Sequence, residues 1–194
     1  MTFKILSLDV ETYSPKGFPY AREDPIIIAT LMATNHLDIG EGAVILSLLY
    51  PPNREKILLK LLKRALTVLG SKESYLITYN GASFDLPYIT LRGRLYGIDF
   101  ENIFTSFTHI DVYHIAKSMM NVNSYTLKSV ESELKIPRNI KSVDGSTIYE
   151  AFHNLKYTGD LRVILYNIED TVNSINILNK LRKIISLKQI LPYF

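Results

Sequence analysis

The sequence predicts an α/β fold, one mixed β-sheet flanked by α-helices. Three observations carry that expectation. Strand-length apolar runs crowd the early part of the chain. Segments of helical period follow, interleaved with further short runs. No repeat, low-complexity tract or interdomain linker breaks the 194 residues, a length that suits a single domain over 1–194 with a sizeable core.

Phe3 to Val10 reads as the first strand, Ile26 to Thr34 as the second and Ala43 to Leu49 as the third. Pro51 and Pro52 then stop the sheet pattern. Asn53 can cap a helix running to about Leu69, with Gly70 at its end. In that helix Ile57, Leu58, Leu61, Leu62 and Ala65 form the expected inner stripe, and Lys56, Lys60, Lys63 and Arg64 face out. Tyr75 to Tyr79 is a short strand broken by "NGASFD", and a helix follows to about Tyr96. Thr108 to Val112 reads as another strand. From Tyr125 onward the chain is mostly helical, with a last long helix expected from about Gly159 to Ile185.

Composition narrows the function classes. Hydrophobic residues make up 47% and charged residues 21%, as in ordinary globular proteins. No apolar run is long enough to span a bilayer, and no basic segment with an apolar signal core opens the chain, so an intracellular, cytoplasmic protein without membrane contact is expected. There are no cysteines, which excludes disulfides and thiolate metal sites. Any metal must be held by oxygen or by the four histidines. The net charge of +3 is compatible with a polyanionic partner.

Asp9 and Glu11, in "LSLDVETYS", stand at the end of the first strand, although acids disfavour strands. Residues two apart share a strand face, so both can point the same way at the sheet's C-terminal edge, where ligands gather in open α/β sheets. Two anions so close repel unless a cation or a proton lies between them. A solvated strand end would look the same in sequence, and short patterns match by accident. "YNGASFD", Tyr79 to Asp85, again follows a strand and ends in a carboxylate. Gly81 lets the backbone turn and approach a ligand, Asn80 offers an amide and Phe84 an aromatic face. A strand-to-helix turn with Asp85 at the helix start is the alternative. In "YNIEDTVNS", Tyr166 and Asp170 are four apart and stack on one helical face. The expected core stripe runs through Leu161, Leu165, Ile168, Val172 and Ile175, with Tyr166 and Asp170 off it on a face that could equally be solvated.

Four carboxylates on three elements suit one chemistry. Magnesium and manganese prefer oxygen ligands. A pair of such ions about 4 Å apart can activate the attacking oxygen and stabilise the leaving one in phosphoryl transfer. A tyrosine hydroxyl beside them, which both donates and accepts, can orient a water.

"DVE", "NGASFD" and "YNIED", in this order, resemble the three motifs of the DEDD exonuclease superfamily, and Tyr166 marks the tyrosine subtype. "YNGASFDLPYITLRGRLYGI" is similar to the proofreading domain of family B DNA polymerases, as is "SYTLKSVESELKI" between the second and third motifs. The resemblance implies a ribonuclease H-like fold and removal of nucleotides from 3′ ends with two divalent ions, Mg2+ or Mn2+. It implies Asp9, Glu11, Asp85 and Asp170 as metal ligands and Tyr166 as the residue that positions water. It also implies Asn80 and Phe84 near the terminal nucleotides and Thr12 at the terminal sugar. The substrate is then the 3′ end of DNA, single-stranded by preference, in repair or replication. The likeness spans Asp9 to Asp170 and leaves no length for a polymerase, so a stand-alone exonuclease, or a subunit working beside a polymerase, is expected. Two rivals share these residues. One is an RNA exonuclease of the same fold, since few contacts read the 2′-OH. The other is a module that binds strand ends or a replication protein without cutting.

Smaller signals remain. Asp111, where a strand ends, reads as a helix cap rather than an acid supporting the ligands. His109 and His114 read as structural. Arg92, Arg94, Lys135, Arg138 and Lys141 are candidate phosphate contacts, although most such residues are merely solvated. The apolar tail Leu187 to Phe194 has a degenerate likeness to the peptide that binds sliding clamps, with Leu187 where that peptide carries glutamine. Docking of the tail on its own domain or in a dimer is the favoured expectation.

Overall fold

The computed structural model describes residues 2–40 and 42–184. The clamp-like tail therefore lies outside the described residues. The elements are β1 (Ile5–Thr12), β2 (Ile26–Thr34), β3 (Val44–Leu49), α1 (Glu55–Leu69), β4 (Tyr75–Thr78), α2 (Asp85–Leu95), α3 (Glu101–Phe104), β5 (Thr108–Asp111), α4 (Val112–Met119), α5 (Leu127–Glu133), α6 (Ile148–Thr158) and α7 (Arg162–Ile184). The five strands form one mixed sheet in the order β3-β2-β1-β4-β5. β1, β2 and β3 pair antiparallel, and β4 and β5 add on parallel to β1. The expected flanked mixed sheet is what the chain forms.

β2 is buried along its whole length, which is why it reads as a nearly continuous apolar run, interrupted only by Thr30 before it ends at Thr34. β1 instead alternates. Leu6, Leu8 and Val10 enter a core with Leu58, Leu59, Leu62 and Leu66 of α1 and Tyr88 and Ile89 of α2. Ile5 points to the other face, into a core with Ile175, Ile177, Leu178 and Leu181 of α7. Ser7 follows it there and donates to the Thr171 carbonyl at 2.9 Å. The odd positions of β1 thus face α7, and Asp9 and Glu11 inherit that direction.

Several local expectations are corrected. β1 runs to Thr12 rather than stopping at Val10, because β2 goes on pairing with it as far as Thr12↔Ile26. The two acids are therefore inside the strand. Asn53 is exposed in a single 3-10 turn, and α1 starts without a side-chain cap. The buried stripe of α1 is Leu58, Leu59, Leu62, Ala65 and Leu66, while Ile57 and Leu61 are 41% and 37% exposed. The buried Glu55 carboxylate sets this phase: it accepts from Ile26 N at 2.7 Å and pairs with Arg92 of α2. Arg92 is thereby a buried structural cation and not a phosphate contact. Gly159, expected to open the last helix, ends α6 in the left-handed region at φ 75°, and α7 begins at Arg162.

The largest correction concerns α7. Leu161 and Leu165 are 55% and 46% exposed, while Tyr166, Asn167, Asp170, Thr171, Asn173 and Ser174 are buried. The helix turns a polar stripe to the sheet because β1 offers it polar partners there, and burial of polar groups follows hydrogen bonds.

Candidate active site

The site is built where β4 gives out. β4 pairs with β1 from Ile5 to Ser7, and the strand beyond has no backbone neighbour on that side. The first residue of α2 fills the gap: Asp85 Oδ1 accepts from Val10 N at 3.2 Å. One carboxylate thus takes the place of a ladder carbonyl and is fixed beside β1. Asp9 and Glu11 approach from β1 and Asp170 from α7, with carboxylate oxygens of these three within 4.8 Å of one another. Asn167, one turn before Thr171, donates to Asp9 Oδ2. Tyr166 is buried one turn before Asp170, in a small core with Ile27, Ile28, Phe152 and Val163.

Asp170 has a cationic neighbour. Arg138 pairs with Asp170 through Nη2 and with Glu131 through Nε and Nη2, and Glu131 also accepts from Asn173 Nδ2 at 2.8 Å. The guanidinium carbon lies 5.4 Å from the centre of the Tyr166 ring, and Lys128 Nζ lies 5.3 Å from it. Arg138, a candidate phosphate contact by sequence, instead holds two acids. Its Nη1 is buried, with no hydrogen-bond partner among the described residues.

The turn after β4 has its own support. Asp111, at the end of β5, caps α4 through Tyr113 N as expected. It also accepts from Asn80 N at 2.8 Å and Ala82 N at 3.0 Å, which fixes the turn that delivers Asp85. Asn80, not Gly81, is the left-handed residue, at φ 60°. Gly81 is needed for a different reason: a Cβ there would come 2.4 Å from Thr78 Oγ1. His109 shares a 2.8 Å hydrogen bond with Thr78, the structural part expected of it. Phe84 is half-buried, with rings of Phe18 and Tyr88 at 6.3 and 5.1 Å. Thr12 is buried and shares a 2.7 Å hydrogen bond with Ser14. A cleft of about 520 Å³ opens beside the acids, lined by Asp9, Asp170, Tyr79, Asn80, Tyr113 and Tyr125 among others. A larger cavity of about 780 Å³ lies at the opposite end of β1, lined by Lys4, His36, Asp38 and Arg182, away from the acid cluster.

Electrostatics follow from this crowding. Burial, then Asp85, Glu11 and Asp170, push Asp9 well above the usual carboxylate range, opposed by the Asn167 hydrogen bond. Glu11 is raised by burial and by Asp170 and Asp85, with Lys128 opposing. Burial lifts Asp85 to about 7 against the Val10 hydrogen bond, and Asp170 to about 6 against Arg138. Tyr166 is raised by burial and by the anions around it, so its hydroxyl keeps its proton. Four crowded carboxylates, Asp85 and Asp170 buried and Asp9 and Glu11 half-buried, form an oxygen donor set that fits a hard divalent cation.

The RNase H superfamily model matches residues 8–182. The chain belongs to that superfamily. Relatives of this RNase H-like domain include a DNA polymerase of Pyrococcus glycovorans, 30% identical across 86% of this chain and 23% of the relative. A DNA polymerase of Methanocaldococcus jannaschii is 28% identical across 73% of this chain and 10% of its own length. Among solved structures, the family B DNA polymerase of Pyrobaculum calidifontis superposes with a TM-score of 0.74 at 15% identity, over 92% of this chain and 25% of that one. The expected likeness to family B polymerases is thus found, and the RNase H-like domain spans about a quarter or less of each of these relatives. Among the described residues no helix is long and apolar enough to cross a membrane.

Sequence reasoning named the acids but missed their supports, Asn167, Glu131 and Asn173. Asn167 was inside a quoted motif, yet its partner Asp9 is 158 positions away, and one sequence carries no signal for that pairing.

Proposed function

We propose that this chain is a metal-dependent 3′–5′ exonuclease that removes nucleoside monophosphates from single-stranded DNA in repair or replication. The observation that carries the proposal is the cluster of Asp9, Glu11 and Asp170, whose carboxylate oxygens lie within 4.8 Å of one another, with Asp85 of α2 near enough to raise Asp9 and Tyr166 beside them. These four acids would hold two divalent ions, whose chemistry is to neutralise charge on the attacking and leaving oxygens of a phosphodiester.

The remaining work falls to the chain's own groups. Tyr166 keeps its proton, so its hydroxyl can donate one hydrogen bond and accept another, orienting a water towards the phosphorus. The water oxygen bonds to phosphorus and releases a proton to solvent, the bond to the 3′ oxygen of the preceding nucleotide breaks, and that oxygen takes up a proton from solvent. A nucleoside 5′-monophosphate leaves. Phe84 offers a ring for stacking on a terminal base, Asn80 an amide at the cleft wall, and Thr12 a hydroxyl near the terminal sugar. Asn167 and Arg138 hold Asp9 and Asp170 in place meanwhile.

The test is digestion of a single-stranded DNA oligonucleotide labelled at its 5′ end, with magnesium or manganese, against a chelator control and a matched RNA. A ladder shortening one nucleotide at a time, lost with chelator, is expected. Cleavage of the RNA alone would transfer the assignment to RNA ends. No cleavage of either, with metal-independent binding, would overturn it in favour of a binding module.

A further inference from the structure

An aromatic stripe leaves the acid cluster in the direction of α6. Tyr13 follows Thr12 at the end of β1, about 7 Å along the strand from Glu11. Its hydroxyl shares a 3.1 Å hydrogen bond with His153 Nε2. Its ring meets Tyr149 edge-on at 5.2 Å and His153 at 5.9 Å. Tyr149, His153 and Tyr157 are spaced four apart, so they share one face of α6 and extend about 12 Å along it. Tyr149 and His153 are 4.7 Å apart, and the His153 and Tyr157 rings lie within 12° of parallel.

Tyr13 rests against the α6 core through Phe152, ring to ring at 5.9 Å, but Tyr149, His153 and Tyr157 are not what packs the helix. Ile148 and Phe152 are the buried side chains of the helix and Leu155 packs behind them, all in the core with Tyr166. Tyr149 and His153 are half-buried, and Tyr157 is 75% exposed with Lys156 Nζ 5.5 Å from its ring centre. An exposed tyrosine with a cation over its ring, at the end of a ring series that starts two residues from Glu11, has a chemical match. Single strands are held by successive aromatic faces next to positive charge, a mode that tolerates any base sequence.

We propose that Tyr13, Tyr149, His153 and Tyr157 form a stacking platform for the nucleotides adjoining the end in the acid cluster, with Lys156 beside their phosphates. The occupant is single-stranded nucleic acid continuous with the substrate, so the proposal rests on the proposed function. The platform supplies grip and not chemistry. Its signature is therefore an affinity that grows with strand length.

The test compares a trinucleotide with a dodecanucleotide, both single-stranded DNA, for wild type, Tyr157→Ala and Tyr157→Phe. Wild type should show a lower KM for the longer strand. Tyr157→Ala should lose about fivefold or more of that gain, with kcat and the trinucleotide KM unchanged. Tyr157→Phe keeps the ring and should behave as wild type. Tyr157→Ala with wild-type KM at both lengths would overturn the platform, as would an equal loss on the trinucleotide. If no protein cleaves either strand, the exonuclease assignment fails on its own. Fluorescence anisotropy with the same labelled dodecanucleotide then decides: weaker binding by Tyr157→Ala supports the platform, and equal binding sinks it.

Discussion

Asp9 is held by an amide. Asn167 donates to its Oδ2, and the cost of gathering buried anions at that point is partly offset by this one bond. Side chains that orient a metal ligand typically matter 10–100-fold. Asn167→Ala should therefore weaken manganese binding by roughly 10–100-fold, read by calorimetry, with the fold intact by circular dichroism. Unchanged affinity would show that Asp9 is fixed by its neighbours instead. Tyr166→Phe removes only a hydroxyl from a ring packed among Ile27, Ile28 and Phe152. It should lower kcat by about a hundredfold, the cost of a misplaced reactant, with the fold intact by circular dichroism although the hydroxyl's bond to Asp170 is lost. A full-rate Tyr166→Phe would remove the tyrosine from the chemistry. What could be read from sequence at this scale was the chemistry-bearing residue types at short spacing, Asp9 with Glu11 and Tyr166 with Asp170. Their supports could not, because Arg138 reaches Asp170 and Glu131 across loops whose course no local pattern encodes.

Between elements, Glu55 is the joint. Its buried carboxylate, at the first residue of α1, accepts from Ile26 at the start of β2, from Arg92 of α2 and from Tyr96. Glu55→Ala leaves Arg92 buried and unpaired, and should cost about 3–5 kcal/mol in urea unfolding. A loss under about 1 kcal/mol would mean that water replaces the carboxylate. The strands were legible because their apolar runs obey simple periods, β2 above all. The faces of α1 and α7 were not. A hydrophobic stripe marks the buried side only when the opposing surface is apolar. Glu55 rotates α1 to reach Ile26 and Arg92, and α7 buries Asn167, Asp170 and Thr171 against β1 while exposing Leu161 and Leu165. A polar stripe on a long helix, read beside two acids on a strand, was the available clue.

For the molecule as a whole, the acid cluster opposes folding while no cation is bound. Asp85 and Asp170 titrate at about 7 and about 6 in the folded chain, and unfolded aspartates near 4. Between those values the folded chain holds protons that the unfolded chain releases. The stability these groups contribute is therefore complete below about pH 4 and drains away as pH rises through 6 to 7. A divalent cation held by these acids, as proposed, would reverse the sign, because it would bind the charged carboxylates and compete with their protons. Two outcomes follow for melting curves with and without chelator. The ion-free protein should melt lower at about pH 8 than at about pH 5.5, within the part of the curve set by this cluster. Magnesium or manganese should raise the melting temperature far more at the higher pH. Asp85→Asn separates the cluster from every other titrating group. It removes a buried charge while keeping the oxygen that accepts from Val10 N, so the ion-free variant should melt above wild type at pH 8 and gain less from metal. Equal metal stabilisation at both pH values, or an Asp85→Asn that melts lower, would show that the four carboxylates do not hold a cation together.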